Sequence, residues 1–334
     1  MAQDVEFFTA MRSAMLPLVT ASALLQVIDR AERAGLMREL RDGADTARLT
    51  AATGLTPETV SALCAALVAN GVAESAAGGF RLTPDWRALT GPGAWVPLGD
   101  IIAQSRVIDA MLSGRESAYA SLSPEDRSTF AHAVSPNPYS PQLVERIRAE
   151  IAASPWWSGM TEGGRHLELG CGVAGRMLTV LQAMPRLRAV GVELDPDLAD
   201  EARRRASDLG IQDRIEIVTG DATTYRSEEP FDFGFWSQWF FPAPTREAAL
   251  ASLFANVRSG GVVRSPVFGD HGRMAADPHG DDARQYSLHR VMHDGWGVPE
   301  RTPEQLKTEF EDAGFVDVTI VYHDVNDGIY ARRP

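Results

Sequence analysis

The chain has 334 residues, 44% hydrophobic and 23% charged, the balance of a soluble globular protein long enough for two domains with a core each. A net charge of −13, with Lys307 the only lysine, argues against nucleic acid as a partner. The sequence shows neither a secretory signal nor an apolar run of membrane-spanning length, so a cytoplasmic protein with no membrane partner is expected.

Apolar periodicity predicts one or two helices over Leu16 to Leu40. A helix, a turn and a second helix follow between Thr46 and Gly71. Gly54 marks the turn, Thr56 the N-cap, Pro57 the first helical position and Gly71 the stop. Val72 to Ser75 and Gly79 to Pro84 make a short hairpin, so residues 1–94 read as a winged-helix domain, mostly helical. A helix that reads DNA needs cations for phosphates and polar groups for base edges. Pro57 to Asn70 carries no lysine or arginine and shows Val60, Leu63, Ala66 and Leu67 instead. That is a packing face, and the domain reads as a dimerisation module. Cys64 and Cys171 fall in different predicted domains and make neither a disulfide nor a metal framework.

Residues 95–160 read as a helical connector, with helices over Trp95 to Leu112 and Tyr139 to Ala153 and a Pro-rich loop at residues 135–141. Pro155-Trp156-Trp157 stands just ahead of the next domain. Its tryptophans either line a pocket or staple the connector to a sheet.

From residue 161 to 334 the pattern is Rossmann-like. The apolar run Leu167 to Leu169 ends in glycines and is followed by an apolar-periodic helix from Arg176, which reads as buried parallel strand, tight turn and crossover helix. Gly170 and Gly172 allow close backbone approach to a ligand. The next strand, Arg188 to Asp195, places Glu193 about 20 residues downstream, where an acid accepts both hydroxyls of a ribose. Ile215 to Ala222 is a third strand, ending in Gly220-Asp221, and Phe231 to Trp236 a fourth. A helix over Thr245 to Arg258 leads to Ser259-Gly260-Gly261 and a fifth strand, Val262 to Phe268. After a helix over Pro303 to Ala313, Phe315 to His323 and Gly328 to Ala331 form the last hairpin. Seven strands with one antiparallel are expected, and His323, at a strand end, is read as structural.

Glu168 sits inside the first of these strands, where a carboxylate meets a ligand's ammonium rather than a pyrophosphate. Together, Glu168-x-Gly170-x-Gly172, the acid Glu193 ending the second strand and Gly220-Asp221 after the third resemble the class I S-adenosylmethionine (SAM) methyltransferases. The resemblance implies SAM as cofactor, leaving as S-adenosylhomocysteine. Glu168, Gly170 and Gly172 would hold its methionine moiety, Glu193 its ribose, and Asp221 with Ala222 its adenine edge; Ser237 is counted with these. With the winged-helix domain and helical connector added, the whole chain is similar to the small-molecule O-methyltransferases of plant and bacterial secondary metabolism. That likeness implies a homodimer held by the N-terminal domain, and a connector that lines the acceptor pocket.

The acceptor side departs from the family. Counting back from Gly260-Gly261 puts the family's His-Asp-Trp-Pro onto Trp239-Phe240-Phe241-Pro242, so the hydroxyl-deprotonating histidine has become Trp239. Where the family often has a glutamate in the fifth strand, this chain has Ser265 and Pro266. Glu300-Arg301-Thr302 matches the family's Glu-Arg-Thr, with Glu300 either catalytic or the local cap of the helix from Pro303. Aromatic residues fill the gap: Trp236, Trp239 and Phe240, with Trp157 and Trp296 as further candidates. Their faces stabilise cations by about 0.5–2 kcal/mol each and exclude water. This suits an electron-rich carbon (alkene, indole, pyrrole or enol, an isoprenoid diphosphate included) or an amine, and carbon or nitrogen is preferred to oxygen.

Candidate bases are His293, then His271 and Asp270. His289 and His293, four apart, share a helix face if residues 283–293 are helical, and with Asp270 they suit a divalent metal. Convergence of Arg284, Arg290 and the histidines would favour an anionic acceptor. The leading expectation is a SAM-dependent methyltransferase of specialised biosynthesis acting on a small molecule. An O-methyltransferase with another base, a SAM-binding enzyme that does not methylate and a SAM-sensing winged-helix regulator stand behind it.

Overall fold

The structure, a computed structural model, describes residues 2–111, 122–267, 271–322 and 327–334. Two compact units divide the chain, residues 1–103 and residues 104–334.

In the first unit α1 (Ala2–Ala10), a π-helical turn (Met11–Met15) and α2 (Leu16–Arg33) follow one another without a break, and α3 (Leu36–Leu40) comes after Gly35. The expected helix-turn-helix is present as α4 (Thr46–Thr53) and α5 (Pro57–Ala69). Asp45 accepts the N–H of Arg48 at 2.7 Å and Thr56 that of Thr59 at 3.2 Å, so both helix starts have side-chain caps. Gly54 ends α4 in the left-handed region. The wing is β1 (Ala73–Ala76) paired antiparallel with β2 (Gly79–Leu82), followed by α6 (Pro84–Leu89). Leu36, Met37, Leu49, Val60, Cys64, Leu67 and Leu82 form the core of this unit.

One expectation fails here. The helical stretch Glu6–Arg33, with a window of mean hydropathy 1.4, is long and apolar enough to cross a membrane by length and composition. Its Thr, Ser and Pro17 disguise the run in the sequence, whereas the helix unites Phe7, Phe8, Leu18 and Val19, which lie 55–65% exposed.

α7 (Leu98–Met111), shorter at its start than the expected helix, passes from the first unit into the second. The second unit continues with α8 (Pro124–Ala133) and α9 (Pro141–Ala153). Its sheet runs β5-β4-β3-β6-β7-β9-β8, with β3 (Gly164–Leu169), β4 (Leu187–Glu193), β5 (Ile215–Thr219), β6 (Phe231–Trp236), β7 (Val257–Pro266), β8 (Val316–Val321) and β9 (Gly328–Arg332). β9 is the one antiparallel strand, paired with both β7 and β8. α10 (Gly175–Ala183), α11 (Pro196–Asp208), α12 (Ala243–Asn256), α13 (His271–Ala276), α14 (Asp281–Gly295) and α15 (Pro303–Asp312) complete the unit. The fold is α/β with a seven-stranded Rossmann-like sheet. Side chains alternate between two cores, one under α9 and α10 and one under α12 and α15.

β7 starts five residues earlier than expected, and α12 ends two residues before Arg258. Gly260 and Gly261 therefore lie inside the strand. The pairing with β6 shifts register between Phe231 and Phe233, and a Cβ on Gly261 would fall 2.5 Å from Val257 Cγ1. The glycines serve a bulge inside the strand.

Gly175 has a packing role. A Cβ there would fall 2.1 Å from the carbonyl oxygen of Pro136 and 2.1 Å from Ser135 Oγ, so the Pro-rich loop is seated directly on the first residue of α10. Gln182, further along α10, donates to Pro138 O at 2.8 Å. Gly175→Ala is expected to cost about 1–3 kcal/mol of unfolding free energy by overpacking. Urea denaturation checks this, and a loss below ~0.5 kcal/mol would contradict the seating.

Candidate active site

The site is built at the C-terminal ends of adjacent parallel strands, where side chains from consecutive loops converge. β3 ends at Leu169, and Gly170 turns left-handed (φ 70°) with its N–H donating to Val192 O at 2.8 Å. Gly172, also left-handed (φ 54°), donates to Glu193 Oε2 at 2.7 Å. Nothing lies within 4 Å of a Cβ built on Gly172, so the space above the turn is open. Glu193 ends β4 and is buried; its Oε1 accepts the N–H of Asp195 at 3.0 Å. Burial raises the pKa of Glu193 against the pull of these backbone donors. Asp221, after β5, accepts the N–H of Thr223 at 2.8 Å and its hydroxyl at 2.7 Å, beside buried Ala222. The three expected cofactor elements therefore lie on β3, β4 and β5, which are neighbours in the sheet.

Glu168 lies on β3 with its side chain 6% exposed, its Oε2 3.6 Å from Arg176 Nη1 and 3.9 Å from His166 Nε2. Sequence reasoning missed Leu194, which stands 70% exposed between Glu193 and Asp195. An apolar side chain held in solvent beside the ribose candidate is the available signal.

β6 pairs with β3, Leu169 opposite Trp236, so the loop after β6 opens beside the glycine turn. Buried Ser237 starts this loop, and a short 3-10 turn, Gln238–Phe240, carries Trp239. Gln238 donates to Pro266 O at 3.1 Å, and Arg246 on α12 donates to Gln238 O at 2.9 Å while pairing with Glu309 on α15. Trp239 is thus held on an anchored turn. The His293 ring lies stacked on it, centroids 6.3 Å apart and planes 16° apart, with Trp296 edge-on to His293 at 5.5 Å. Phe130 of α8 meets Trp296 at 4.5 Å and Phe240 at 6.2 Å. His289 is at 6.2 Å from His293 on the same face of α14, as the spacing predicts.

Other sequence candidates lie elsewhere. Trp157 and Trp236, expected at the acceptor pocket, are core residues. Trp157 sits edge-on to His166 and Tyr330 as a staple of the connector. Trp236 is fully buried on the opposite face, against Phe241 and Phe310. Alternation along β6 explains the second case: Phe235 and Trp236 cannot face the same side. Glu300 is not the cap of α15, because Thr302 and Gln305 form that capping box themselves. Glu300 instead accepts from the Tyr286 hydroxyl at 2.7 Å and pairs with Arg290 at 2.9 Å, while His271 lies edge-on to Tyr286 at 4.8 Å. Glu300, Arg290 and His271 therefore form one cluster, and His293, Trp239 and Trp296 another. Asp270, Phe268 and His323 fall outside the described residues. Among the described residues no group of three or more His, Cys, Asp or Glu is placed to hold a metal.

Sequence reasoning also missed α8. Its Ser123 cap, accepting from Asp126 N at 3.1 Å, and Pro124 at its start were the signal. Arg127 donates to Asp195 Oδ2 at 2.6 Å, and Ala131 packs with Val173 of the glycine turn and Leu198 of α11. Phe130, next in sequence, joins the aromatic group of the acceptor side. One helix touches both halves of the site.

His293 is held down to about 4 by burial, reinforced by neighbouring His289, itself lowered by burial. An unfolded histidine titrates near 6.5. Between those values the unfolded chain binds more protons, so this contribution is fully present above pH ~6.5 and is lost as pH falls toward 4. His293→Gln should flatten the fall in unfolding free energy across that window by on the order of 2 kcal/mol, read from urea melts at several pH values. Identical slopes in both proteins would exclude a neutral, buried His293.

Residues 167–261 match a methyltransferase domain family. Erythromycin 3''-O-methyltransferase of Saccharopolyspora erythraea is 26% identical over 176 residues, 49% of this chain and 54% of that protein. A human MTRF1L release factor glutamine methyltransferase is 32% identical over 92 residues, 28% of this chain and 27% of that protein, so the chain spans about half of the one curated relative and about a quarter of the other. In fold it is similar to an O-methyltransferase family protein from Burkholderia thailandensis, at TM-score 0.70 and 17% identity over 96% of this chain and 98% of that one. With human N-acetylserotonin methyltransferase, solved in complex with SAM, the TM-score is 0.70 at 15% identity, over 99% and 98% of the chains. A methyltransferase domain thus matches the strands and turns of the candidate site, on a fold that the chain shares with O-methyltransferases.

Proposed function

We propose that the protein is a SAM-dependent methyltransferase of specialised biosynthesis that methylates a hydroxyl on a small, flat acceptor, with His293 as the base. The stacking of His293 on Trp239 carries this reading. The position that holds the family's histidine is occupied by Trp239, and a histidine from α14 lies against it. The preference for carbon or nitrogen rested on a missing base, and His293 supplies one. The O-methyltransferase names among the relatives favour oxygen too.

The cofactor candidates fit SAM. Gly172 leaves room for close approach, Glu193 presents a carboxylate at the end of β4, and Leu194 offers an apolar surface for a base to cover. In this reading Glu193 receives the ribose hydroxyls, Asp221 and Ala222 border the adenine, and Gly170, Gly172 and Ser237 face the rest. Bound SAM supplies an electrophilic methyl on a sulfonium. The chain's task is to place the acceptor in line with it and to take the proton. Trp239, Phe240, Trp296 and Phe130 exclude water and hold a planar acceptor, and a ring nitrogen of His293 accepts the hydroxyl proton. A histidine titrating near 4 is a weak base, which suits an acidic hydroxyl such as a phenol or enol.

The same aromatic walls favour a second reading, methylation at carbon or nitrogen with a transient cation over Trp239. An isoprenoid diphosphate bound through a metal has no support among the described residues: Arg290 is engaged by Glu300 and Arg284 lies by Asp281.

Incubation with SAM and a panel of phenolic, enolic, indole and amine acceptors, read by mass spectrometry and NMR, tests both readings. O-methylation should fall about 10²–10⁴-fold in His293→Gln, with the product unchanged. Because the base titrates near 4, kcat/KM should hold constant from pH 8 down to 6. A loss across that range, or an unaffected variant, would point to a different base.

The exposed face of α1 and α2, with Phe7, Phe8, Leu18 and Val19, we assign to a second copy of the chain, because so large an apolar patch in water favours association. Analytical ultracentrifugation should give a dimer for the native protein and a monomer for the double variant Phe8→Glu, Leu18→Glu. A native monomer that sediments with lipid vesicles would assign the face to a membrane instead.

A further inference from the structure

A partly buried ion pair ties α8 to the cofactor side. Arg127 Nε donates to Asp195 Oδ2 at 2.6 Å, with the two side chains 21% and 12% exposed, and Arg127 Nη1 donates to Leu122 O at 2.7 Å. Asp195 Oδ1 accepts the N–H groups of Asp197 and Leu198 at the start of α11. The N–H of Asp195 donates to Glu193 Oε1, and Glu193 Oε2 receives the N–H of Gly172. An unbroken series of hydrogen bonds thus runs from the glycine turn through Glu193 and Asp195 to Arg127. The cap of α11 does not need this charge, since asparagine caps a helix as well as aspartate does. A second tie is longer and shared: His132 Nε2 lies 3.5 Å from Glu201 Oε1, which Arg204 Nη2 already meets at 2.6 Å. In the other direction α8 packs Phe130 with Leu122, Trp296 and Val298, and Phe240 stands at 6.2 Å.

We propose that Arg127 is a positioning residue that couples the two halves of the site, so that a cofactor held at the end of β4 also fixes Phe130 and the acceptor wall. This rests on the SAM reading above, in which the cofactor lies against Glu193 and Leu194. A ligand couples two sites only through contacts that differ between two states. Here the segment that differs is residues 193–195. Without ligand it is held from one side, by the backbone donors on Glu193. A ribose on Glu193 and a base over Leu194 hold it from the other side as well, and Asp195 becomes a fixed acceptor for the guanidinium. The cofactor then meets the entropy cost of ordering this segment and α8, and an acceptor entering beside Phe130 and Trp296 does not meet it again. Linkage makes the effect reciprocal, so the acceptor tightens the cofactor by the same factor. Arginine suits the task because its planar fork spans two acceptors, Asp195 Oδ2 and Leu122 O, in one geometry.

Hydrogen exchange read by mass spectrometry, with and without S-adenosylhomocysteine, tests the coupling. In the native protein the ligand should slow exchange across residues 170–175 and 193–199 and, by about 5- to 150-fold, across residues 124–133 and 289–298. Arg127→Met should still bind the ligand and keep the first two effects while losing those at 124–133 and 289–298. A mere staple would instead loosen α8 equally with and without the ligand. Arg127→Lys should restore part of the protection. Asp195→Asn, which keeps the cap of α11, should match Arg127→Met, so either position decides if one variant does not fold. Protection at 289–298 that is absent from the native protein, or that survives in both Arg127→Met and Asp195→Asn, overturns the coupling while native binding keeps the cofactor reading intact. A native protein that does not bind S-adenosylhomocysteine overturns the cofactor reading and the coupling with it.

Discussion

The hydrogen bond from Gly172 N–H to Glu193 Oε2 is the contact on which the site is hung. It draws the turn after β3 against the end of β4, and it requires a carboxylate and a left-handed glycine at two points 21 residues apart. With that turn fixed, α10 starts at Gly175 and presents Arg176 toward Glu168. The Pro-rich loop can seat on Gly175 only because that residue has no side chain. A buried carboxylate is costly in an apolar interior, and Glu193 is tolerated because backbone donors meet both of its oxygens.

α8 extends the same frame to the acceptor side. Arg127 reaches Asp195, which caps α11, while Ala131 touches the glycine turn and Phe130 meets Trp296 and Phe240. A displacement of this helix therefore acts on the cofactor loop and the aromatic group together. Elements coupled in this way favour positioning over side-chain basicity, the demand that methyl transfer makes.

The elements written locally in the sequence were legible. Thr56-Pro57, Gly54 and the apolar strand before Gly170 each encode their structure through nearby residues, and the structure has them in place. What escaped depended on distant partners. Phe235 and Trp236 look equivalent in the sequence, yet pleating sends one to each core. Gly260 and Gly261 read as lying before the fifth strand, because their place inside it depends on Val257 and the neighbouring strand. Glu300 matches a motif, but its partners Tyr286 and Arg290 lie 10 to 14 residues earlier on α14, a pairing that no local rule gives.

Under the proposed function, the acceptor side keeps its chemistry although its motif changes. Tryptophan at 239 can accept no proton, but its flat face is a platform for another ring, and the turn that carries it is clamped by Gln238 and by Arg246 with Glu309. α14 brings His293 to that platform, and Trp296, three residues on, stands edge-on to it. The enclosure that holds the imidazole also lowers its basicity, since a cation there would be poorly solvated. A weaker base in a drier pocket is a consistent pair. Under the proposed function it would narrow the hydroxyls that can be deprotonated to acidic ones, and planar aromatic or enolic acceptors are those that an aromatic-walled pocket also binds best.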